Sequence, residues 1–556
     1  MKPAPTSDAP DAFARHSVGR RGVGPNAGRQ AQEWLRAHWI EIAIVVALTA
    51  LAAGLRLWHL GSVPLGLHGD EAWTGLDARR VAQHGWIAPY VPSALGQPTG
   101  PLYLTAALFK IMPQTTFTLR FSMALFGIAT IPLAYFAFRS MFGATAAAFA
   151  ALLLTVMTWH LHLTRTGFMI AAWPFIEMAV AWALFAGIRR RSVALFALAG
   201  ALAGAGIYTY NAYLLFLPAV AVALAWAIAH TPAGAERRRV ALGALALAVA
   251  ALIVATPMLV FIAGHTATYR FHEQQVSITH APGWSDASIG GKANILRHRF
   301  DEWAEALARG NRPDFGDGLA SPGHPVVDDV TLALALVGLG IALWRWRQTE
   351  YAFVLAVIVV GPLGALATFG DGLFRRTFGM APFVALLAAL PLAWLWDRVG
   401  ARRDWQAAGA IALCGMLVAY PAIANVYAYF GPVQDTAVMR YTYPYQEDAA
   451  SHYIAGLPAN TFVYFYSDRW SFDYETRRFI APHASGIDRS SEFGGSGVGA
   501  TPDFNHDRSR PSAFVFLGNY LADADAVIAA YPGGTLTEGH HKGETTFRAY
   551  FLPATR

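Results

Sequence analysis

Arg237-Arg-Arg-Val240-Ala-Leu-Gly-Ala-Leu-Ala-Leu-Ala-Val-Ala-Ala-Leu-Ile-Val-Ala-Thr-Pro-Met-Leu-Val-Phe-Ile262 sets three arginines directly before a long apolar run. Such a run has the length of roughly twenty residues that a helix needs to cross the hydrocarbon of a bilayer. The pattern recurs along the chain. Apolar runs near 38–58, 117–138, 143–162, 168–188, 192–209, 211–230, 238–262, 326–346, 351–370, 376–396 and 406–428 read as eleven spans. The composition agrees, with 55% hydrophobic residues, 14% charged residues and 34 Phe in 556 residues, and a mean hydropathy of +0.35. A soluble domain carries about a quarter of its residues charged, so the reading is a polytopic α-helical membrane protein.

Arginine placement orients the spans. Arg15–Arg36, Arg139, Arg189-Arg190-Arg191, Arg237-Arg238-Arg239, Arg345/Arg347 and Arg398/Arg402/Arg403 fall on alternate loops. The positive-inside rule puts them on the cytoplasmic side. The net charge of +6 therefore reports topology, and nucleic acid is not an expected partner. The alternation holds if the short apolar segment at 99–112, bracketed by Pro98, Pro101 and Pro113, lies in the interface without crossing. Residues 1–33 read as a disordered basic cytoplasmic tail and 34–430 as the membrane domain. Loops 59–116 and 264–325 face outward, with a soluble outer α/β domain at 431–556. In that domain Thr461–Tyr466, Ala513–Leu517 and Thr546–Phe551 read as strands, 447–456 and 520–530 as helices, and 486–510 as a flexible Gly/Ser-rich loop. Cys414 is the single cysteine, which excludes a disulfide framework and a cysteine metal site.

The first outer loop carries His68-Gly-Asp-Glu-Ala-Trp-Thr-Gly-Leu-Asp77, expected to form a short amphipathic helix. Asp70 and Glu71 would serve there either as N-cap and first-turn dipole partner or as a general base for an acceptor hydroxyl. Arginines near the outer face are candidate phosphate ligands: Arg165, Arg270 and the pair Arg375-Arg376, with Lys292 beside them. Arg375 and Arg376 stand out because they lie outside, against the general arginine bias, although an ion pair with Asp371 would also account for them. Tyr208, Tyr210 and Asn211 end a span on that side. His265, Asp317 and His324 with Asp70 are a loosely spaced donor set for a divalent cation, the one cofactor the residues suggest. No nucleotide-phosphate loop is present.

Gly69-Asp-Glu-Ala72, Gln97-Pro-Thr-Gly-Pro-Leu-Tyr103 and Thr118-Leu-Arg-Phe-Ser122 occur in an order that resembles bacterial C-type (GT-C) glycosyltransferases, relatives of protein O-mannosyltransferases and lipid A aminoarabinose transferase. The resemblance continues through His160–Gly167, Gly206–Asn211, Gly316–Pro325 and Phe374–Phe378, covering about 35–430. It implies the GT-C fold and transfer of a monosaccharide, with inversion, from a polyprenyl-phosphate donor to a lipid, glycan or protein acceptor. The active site would face outward from a bacterial cytoplasmic membrane. It also implies Asp70 as base with Glu71 orienting it or sharing a proton, and adds Tyr208, Asn211 and His324 as donor contacts. Gly318-Leu-Ala-Ser departs from a more polar, basic stretch in the family. The rival readings are a pyrophosphate-dependent ligase or polymerase, a lipid or glycan transporter, and a non-catalytic glycan-binding scaffold.

Overall fold

The computed structural model describes residues 26–310, 312–399, 405–493 and 504–555. Its membrane part runs α1 (Asn26–Leu57), α2 (Gly69–His84), the two-residue strands β1 (Tyr90–Val91) and β2 (Gln97–Pro98), α3 (Leu102–Phe109), α4 (Thr116–Phe142), α5 (Ala144–Val156), α6 (Thr158–Leu163), α7 (Ala172–Arg190), α8 (Val193–Gly206), α9 (Leu217–His230) and α10 (Ala235–Gly264). It continues through α11 (Thr266–Val276), α12 (Ile289–Ala308), α13 (Asp329–Trp344), α14 (Thr349–Val360), α15 (Leu363–Leu366), α16 (Ala381–Val399) and α17 (Trp405–Phe430). Every expected span coincides with apolar helix. Among the described residues eight helical stretches are long and apolar enough to cross a membrane, and α5, α8 and α13 are shorter apolar helices. The expected span at 143–162 is broken at Met157, whose extended backbone (ψ 122) separates α5 from α6. Helix α1 begins at Asn26, inside the segment expected to be a disordered tail; the rest of that tail, 1–25, lies outside the described residues. At eight residues, α3 is too short to span and packs against α2 and α4.

Burial sorts the helices. The Met169–Arg190 stretch is 89% buried and the Ala235–Gly264 stretch 11% buried, although the second is the more apolar. A helix that is apolar all round and uncovered faces lipid, so α10 is peripheral and α7 central. Glycines set the closest approaches, as is usual where lipid supplies no hydrophobic drive. A Cβ on Gly200 would stand 2.1 Å from the Leu247 carbonyl of α10, and one on Gly338 1.9 Å from that of Leu387 in α16.

The C-terminal domain contains α18 (Ala437–Thr442), α19 (Tyr445–Ala455), α20 (Glu475–Ile480) and α21 (Asp523–Ala530) around a five-stranded sheet. Its strands are β3 (Phe462–Tyr466), β4 (Ser485–Asp488), β5 (Ser512–Phe516), β6 (Thr535–His541) and β7 (Glu544–Leu552), in the order β4-β3-β5-β7-β6. β3 runs parallel to β4 and β5, and β7 pairs antiparallel with β5 and β6. The buried central strands are the three that alternation and aromatic content predict. The edge strands β4 and β6 were not expected, because Ser-Gly-Ile-Asp and Thr-Leu-Thr-Glu-Gly-His-His carry little apolar signal. β4 overlaps the start of the segment read as a flexible loop, whose residues 494–503 lie outside the described residues.

This domain is seated on α2. Phe479 of α20 is buried in a cluster with Ala72, Leu102 and Phe109. The Arg79 guanidinium donates to the Phe479 carbonyl (3.1 Å) and the Thr476 hydroxyl to that of Leu67 (2.9 Å). Gly75 is needed there, since a Cβ would come within 2.4 Å of the Phe479 ring. Gly75→Val is expected to lower the thermal unfolding midpoint and open the domain contact to proteolysis. Adding Phe479→Ala should recover part of that loss, giving a non-additive double-mutant cycle.

Candidate active site

The site forms where the loop before α2, the α6–α7 and α8–α9 turns, α11, the 312–325 loop and the 367–377 turn meet. Helix α2 starts with a capping box, but its N-cap is His68, not Asp70. His68 Nδ1 accepts the Asp70 N–H (2.9 Å) and Glu71 Oε2 accepts the His68 N–H (3.0 Å). Accepting at Nδ1 places the proton of a neutral His68 on Nε2. Burial, only partly offset by Asp70, lowers the His68 pKa and favours that neutral form.

With capping done by its neighbours, the Asp70 carboxylate is left to face the cavity. Its side chain is 35% exposed and its Oδ2 accepts from Arg375 Nη1 at 2.7 Å. Burial would raise its pKa, but the opposing charges around it, with the hydrogen-bonded Arg375 the permanent cation among them, hold the carboxyl below its ordinary value. Arg375 also pairs with the buried Asp317 (Nε to Oδ1, 2.6 Å) and stacks on Phe168, 5.0 Å from the ring centre. Flanked by two carboxylates, its guanidinium is strongly held protonated against the desolvation that opposes it. Burial and the nearby Asp314 push Asp317 upward, with Arg375 pulling against them.

Backbone bonds fix this arrangement. Asp314 accepts the N–H groups of Gly372 (2.7 Å) and Leu373 (3.0 Å), and Asp317 those of Phe374 and Arg375 (2.8 Å each). The two loops lie so close that a Cβ on Gly316 would sit 2.3 Å from the Gly372 nitrogen. The Gly316-Asp-Gly-Leu stretch thus serves as a clasp for the arginine turn.

Two cavities adjoin at Asp70. The smaller, about 120 Å³, is lined by Phe168, Tyr210, Asn211, His272, Arg375 and Arg376. The larger, about 570 Å³, is lined by His68, Trp73, Asp77, Arg80, Phe271, Tyr474 and Glu475. A turn at Ser93–Gly96 stands between them, with Ala94 (φ 52) and Leu95 (φ 65) both left-handed. Consecutive non-glycine residues in that region are strained, and such strain concentrates at functional sites. In the smaller cavity Arg376 donates to the Thr368 hydroxyl (3.0 Å) and the Phe369 carbonyl (3.3 Å), with no carboxylate within ion-pair distance among the described residues. Asn211 donates to the Tyr90 hydroxyl (3.4 Å), and its buried Oδ1 has no partner among the described residues. Burial and then Arg376 lower the His272 pKa to about 4, so it is neutral near pH 7.

The structure reassigns several residues. Glu71 neither touches nor supports Asp70 as a proton partner. It is fully buried and bridged bidentately by Arg120 (3.0 Å from Nε to Oε1 and from Nη2 to Oε2), with the Gly167 N–H on Oε1. Arg165 is consumed by the carbonyls of Leu55, Arg56, Trp58 and Val63 and points away from the cavities. The Tyr208 hydroxyl donates to the Val254 carbonyl at 2.9 Å, and its neighbour Tyr210 is the one facing inward. Arg270 is exposed on α11, Lys292 lies over Trp284 (5.6 Å), and His324 closes a backbone turn with Ser321; none of the three lines either cavity. The Arg375 partners are Asp70 and Asp317, not Asp371. Of the suggested cation ligands, Asp70 and Asp317 converge, but on a guanidinium. Among the described residues no three His, Cys, Asp or Glu side chains are grouped to hold a metal.

Arg120, His272, Tyr474 and Glu475 were not expected in or behind the site. Arg120 lies in the Thr118–Ser122 stretch, where a charge one turn into an apolar helix is the local signal for it. Glu71→Ala should destabilise by about 3–5 kcal/mol, the usual effect of orphaning one member of a buried ion pair. The check is a large fall in the unfolding midpoint, with Asp70→Asn causing little change.

Residues 96–261 match the family model described as dolichyl-phosphate-mannose-protein mannosyltransferase. A search of curated protein sequences finds no significant match. Among solved structures, an Archaeoglobus fulgidus oligosaccharyltransferase tethered to an acceptor peptide is 16% identical, with a TM-score of 0.51 over 82% of this chain, which spans 64% of that protein. The oligosaccharyltransferase AglB of the same organism, in complex with an inhibitory peptide and a dolichol-phosphate, is 15% identical with a TM-score of 0.53, covering 92% of this chain and 74% of that one. ArnT from Cupriavidus metallidurans bound to undecaprenyl phosphate is 13% identical with a TM-score of 0.51, covering 93% and 98%. The expected architecture is borne out: this multi-pass membrane chain has the GT-C fold, with a protein O-mannosyltransferase-like sequence over 96–261.

Proposed function

We propose that this protein transfers a monosaccharide from a polyprenyl-phosphate donor to an acceptor hydroxyl, with Asp70 as the general base. The observation that carries the reading is Asp70 itself: an ionised, partly exposed carboxylate shared by two cavities, 2.7 Å from Arg375 and close to the carboxylate-free Arg376. The dolichol-phosphate and undecaprenyl phosphate named for the two structural relatives supply the donor class.

In this reading the smaller cavity takes the donor's sugar-phosphate junction. Arg376 holds the phosphate, and its single uncompensated charge suits a monophosphate better than a pyrophosphate. Asn211 Oδ1 accepts a sugar hydroxyl. The acceptor oxygen attacks the anomeric carbon from the face opposite the phosphate, with inversion. The bond from that carbon to the phosphate oxygen breaks, the phosphate leaves with the electron pair, and the hydroxyl proton passes to Asp70. Positioning and charge neutralisation carry most of the catalysis, because the leaving group is already activated. An arriving phosphate competes with Asp70 for Arg375; as that ion pair loosens, Asp70 becomes more basic. The arginine clusters on alternate loops support a site on the non-cytoplasmic face.

The purified chain should release free polyprenyl phosphate from at least one sugar-linked polyprenyl monophosphate. Asp70→Asn, equally stable, should be slower by about 10²-fold or more. A variant with the wild-type rate removes Asp70 from the mechanism. Arg375 favours the ionised form of Asp70, so Arg375→Gln raises that pKa. The acid limb of the pH–rate profile should then move to higher pH; an unmoved limb would show that the pair does not tune the base.

A further inference from the structure

The larger cavity has a chemical character of its own. Asp70, Trp73, Asp77 and Arg80 recur every three or four residues, so one stripe of α2 forms its floor. The facing wall is Tyr474 and Glu475 from the C-terminal domain, held there by the Phe479 and Thr476 contacts. At about 570 Å³ the space falls within the ordinary range of small-ligand pockets. Asp77 accepts from the Ser93 hydroxyl and lies 3.7 Å from Arg80. Glu475 has no hydrogen-bond or ion-pair partner among the described residues, though it is partly buried at the wall.

Asp70 is paired with Arg375 and Asp77 with Arg80, and the Arg478 guanidinium lies over Trp73 (5.2 Å). Glu475 is thus the one lining carboxylate without an ion-pair partner among the described residues, and it disfavours a phosphorylated or carboxylated ligand beside it. A sugar ring complements this lining: its C–H face lies against an aromatic plane and its rim of hydroxyls donates to carboxylates. Trp73, over one side of which the Arg478 guanidinium lies, and Phe271 supply the aromatic surfaces, Glu475 and Asp77 the acceptors. A peptide would also need partners for its own N–H and C=O groups. The extended backbone at this wall, Tyr90–Val91, is already paired with Gln97–Pro98.

We propose that the larger cavity is the acceptor subsite and takes a neutral glycan. A ring lies on Trp73, hydroxyls are read by Glu475 and Asp77, and the attacking hydroxyl reaches Asp70. The C-terminal domain thereby supplies acceptor specificity through Glu475. This assignment rests on the glycosyl-transfer reading above and narrows its acceptor to one class.

The test is calorimetric titration of the purified full chain with mannotriose, galactotriose and arabinotriose. An oligogalacturonate and a Ser/Thr-rich hexapeptide are titrated alongside. At least one neutral trisaccharide should bind, with the affinity falling tenfold or more in Glu475→Gln and in Trp73→Ala. The exposed Arg270→Ala should bind as the wild type does. The conservative Glu475→Gln keeps the experiment decisive if Trp73→Ala folds poorly. Absence of trisaccharide binding, insensitivity to Glu475→Gln, or preference for the peptide or the anionic sugar overturns the proposal. Donor turnover is followed separately as polyprenyl phosphate released without acceptor. Trisaccharide binding without donor release would sink the transfer reading and keep a glycan site; donor release without trisaccharide binding would do the reverse.

Discussion

The guanidinium of Arg375, between the carboxylates of Asp70 and Asp317, is the contact on which the site depends. It joins three segments, with Asp317 58 positions and Asp70 305 positions from it along the chain, and it does so in a partly buried setting. Charge pairs strengthen as solvent is withdrawn, but each member then costs more if left alone. Asp314 and Asp317 meet that cost by accepting four backbone N–H groups from the arginine's own turn. The turn is thus fixed before any ligand arrives, which is the condition for electrostatic catalysis without reorganisation.

Behind this site the bundle uses arginine as structural glue. Arg120 ties Glu71 to the carbonyls of Pro64 (2.8 Å) and Gly66 (2.6 Å), and Arg165 gathers two carbonyls from the end of α1 and two from the α1–α2 connection. Arg56 reaches His160 Nδ1 (2.6 Å) and the Thr155 carbonyl (3.3 Å). Irregular backbone at the end of a membrane bundle needs partners that water and lipid do not dependably supply. A planar donor with five N–H groups meets that need better than any other side chain. The same residue type thus has two uses at one end of the molecule: buried arginines shape the loops, and the half-buried Arg375 and Arg376 face the cavity.

The strained Ala94–Leu95 turn and the seating of α20 on α2 divide the space around Asp70 into two rooms of unequal size and different lining. One presents Arg376 and an unpartnered amide oxygen, the other Glu475 and an aromatic floor. A carboxylate at their junction is ionised because Arg375 is near, and its basicity is set by whatever else claims that arginine. Geometry and charge therefore couple the two halves through one side chain.

Much of the fold was legible in the chain. Long apolar runs, arginine clusters on alternate loops and aromatic β-patterns after residue 430 are local signals, and each expected span has its helix. Asp70 and Arg375-Arg376 also stood out, because charge at a membrane surface is costly enough to be conspicuous in sequence. What remained hidden was pairing. Glu71 beside Asp70 looked like its partner, yet a helix turns adjacent residues about 100° apart, so one carboxylate meets Arg120 in the core and the other meets Arg375 in the cavity. Arg165 and Tyr208 carried the right chemistry but point at backbone, while His272, Tyr474 and Glu475 came into the site from elements whose approach no local pattern encodes. Sequence determined which segments form apolar helices, because hydropathy is a property of each segment alone. Tertiary structure decided which charges meet, because an ion pair exists only where two distant segments are packed within a few ångströms.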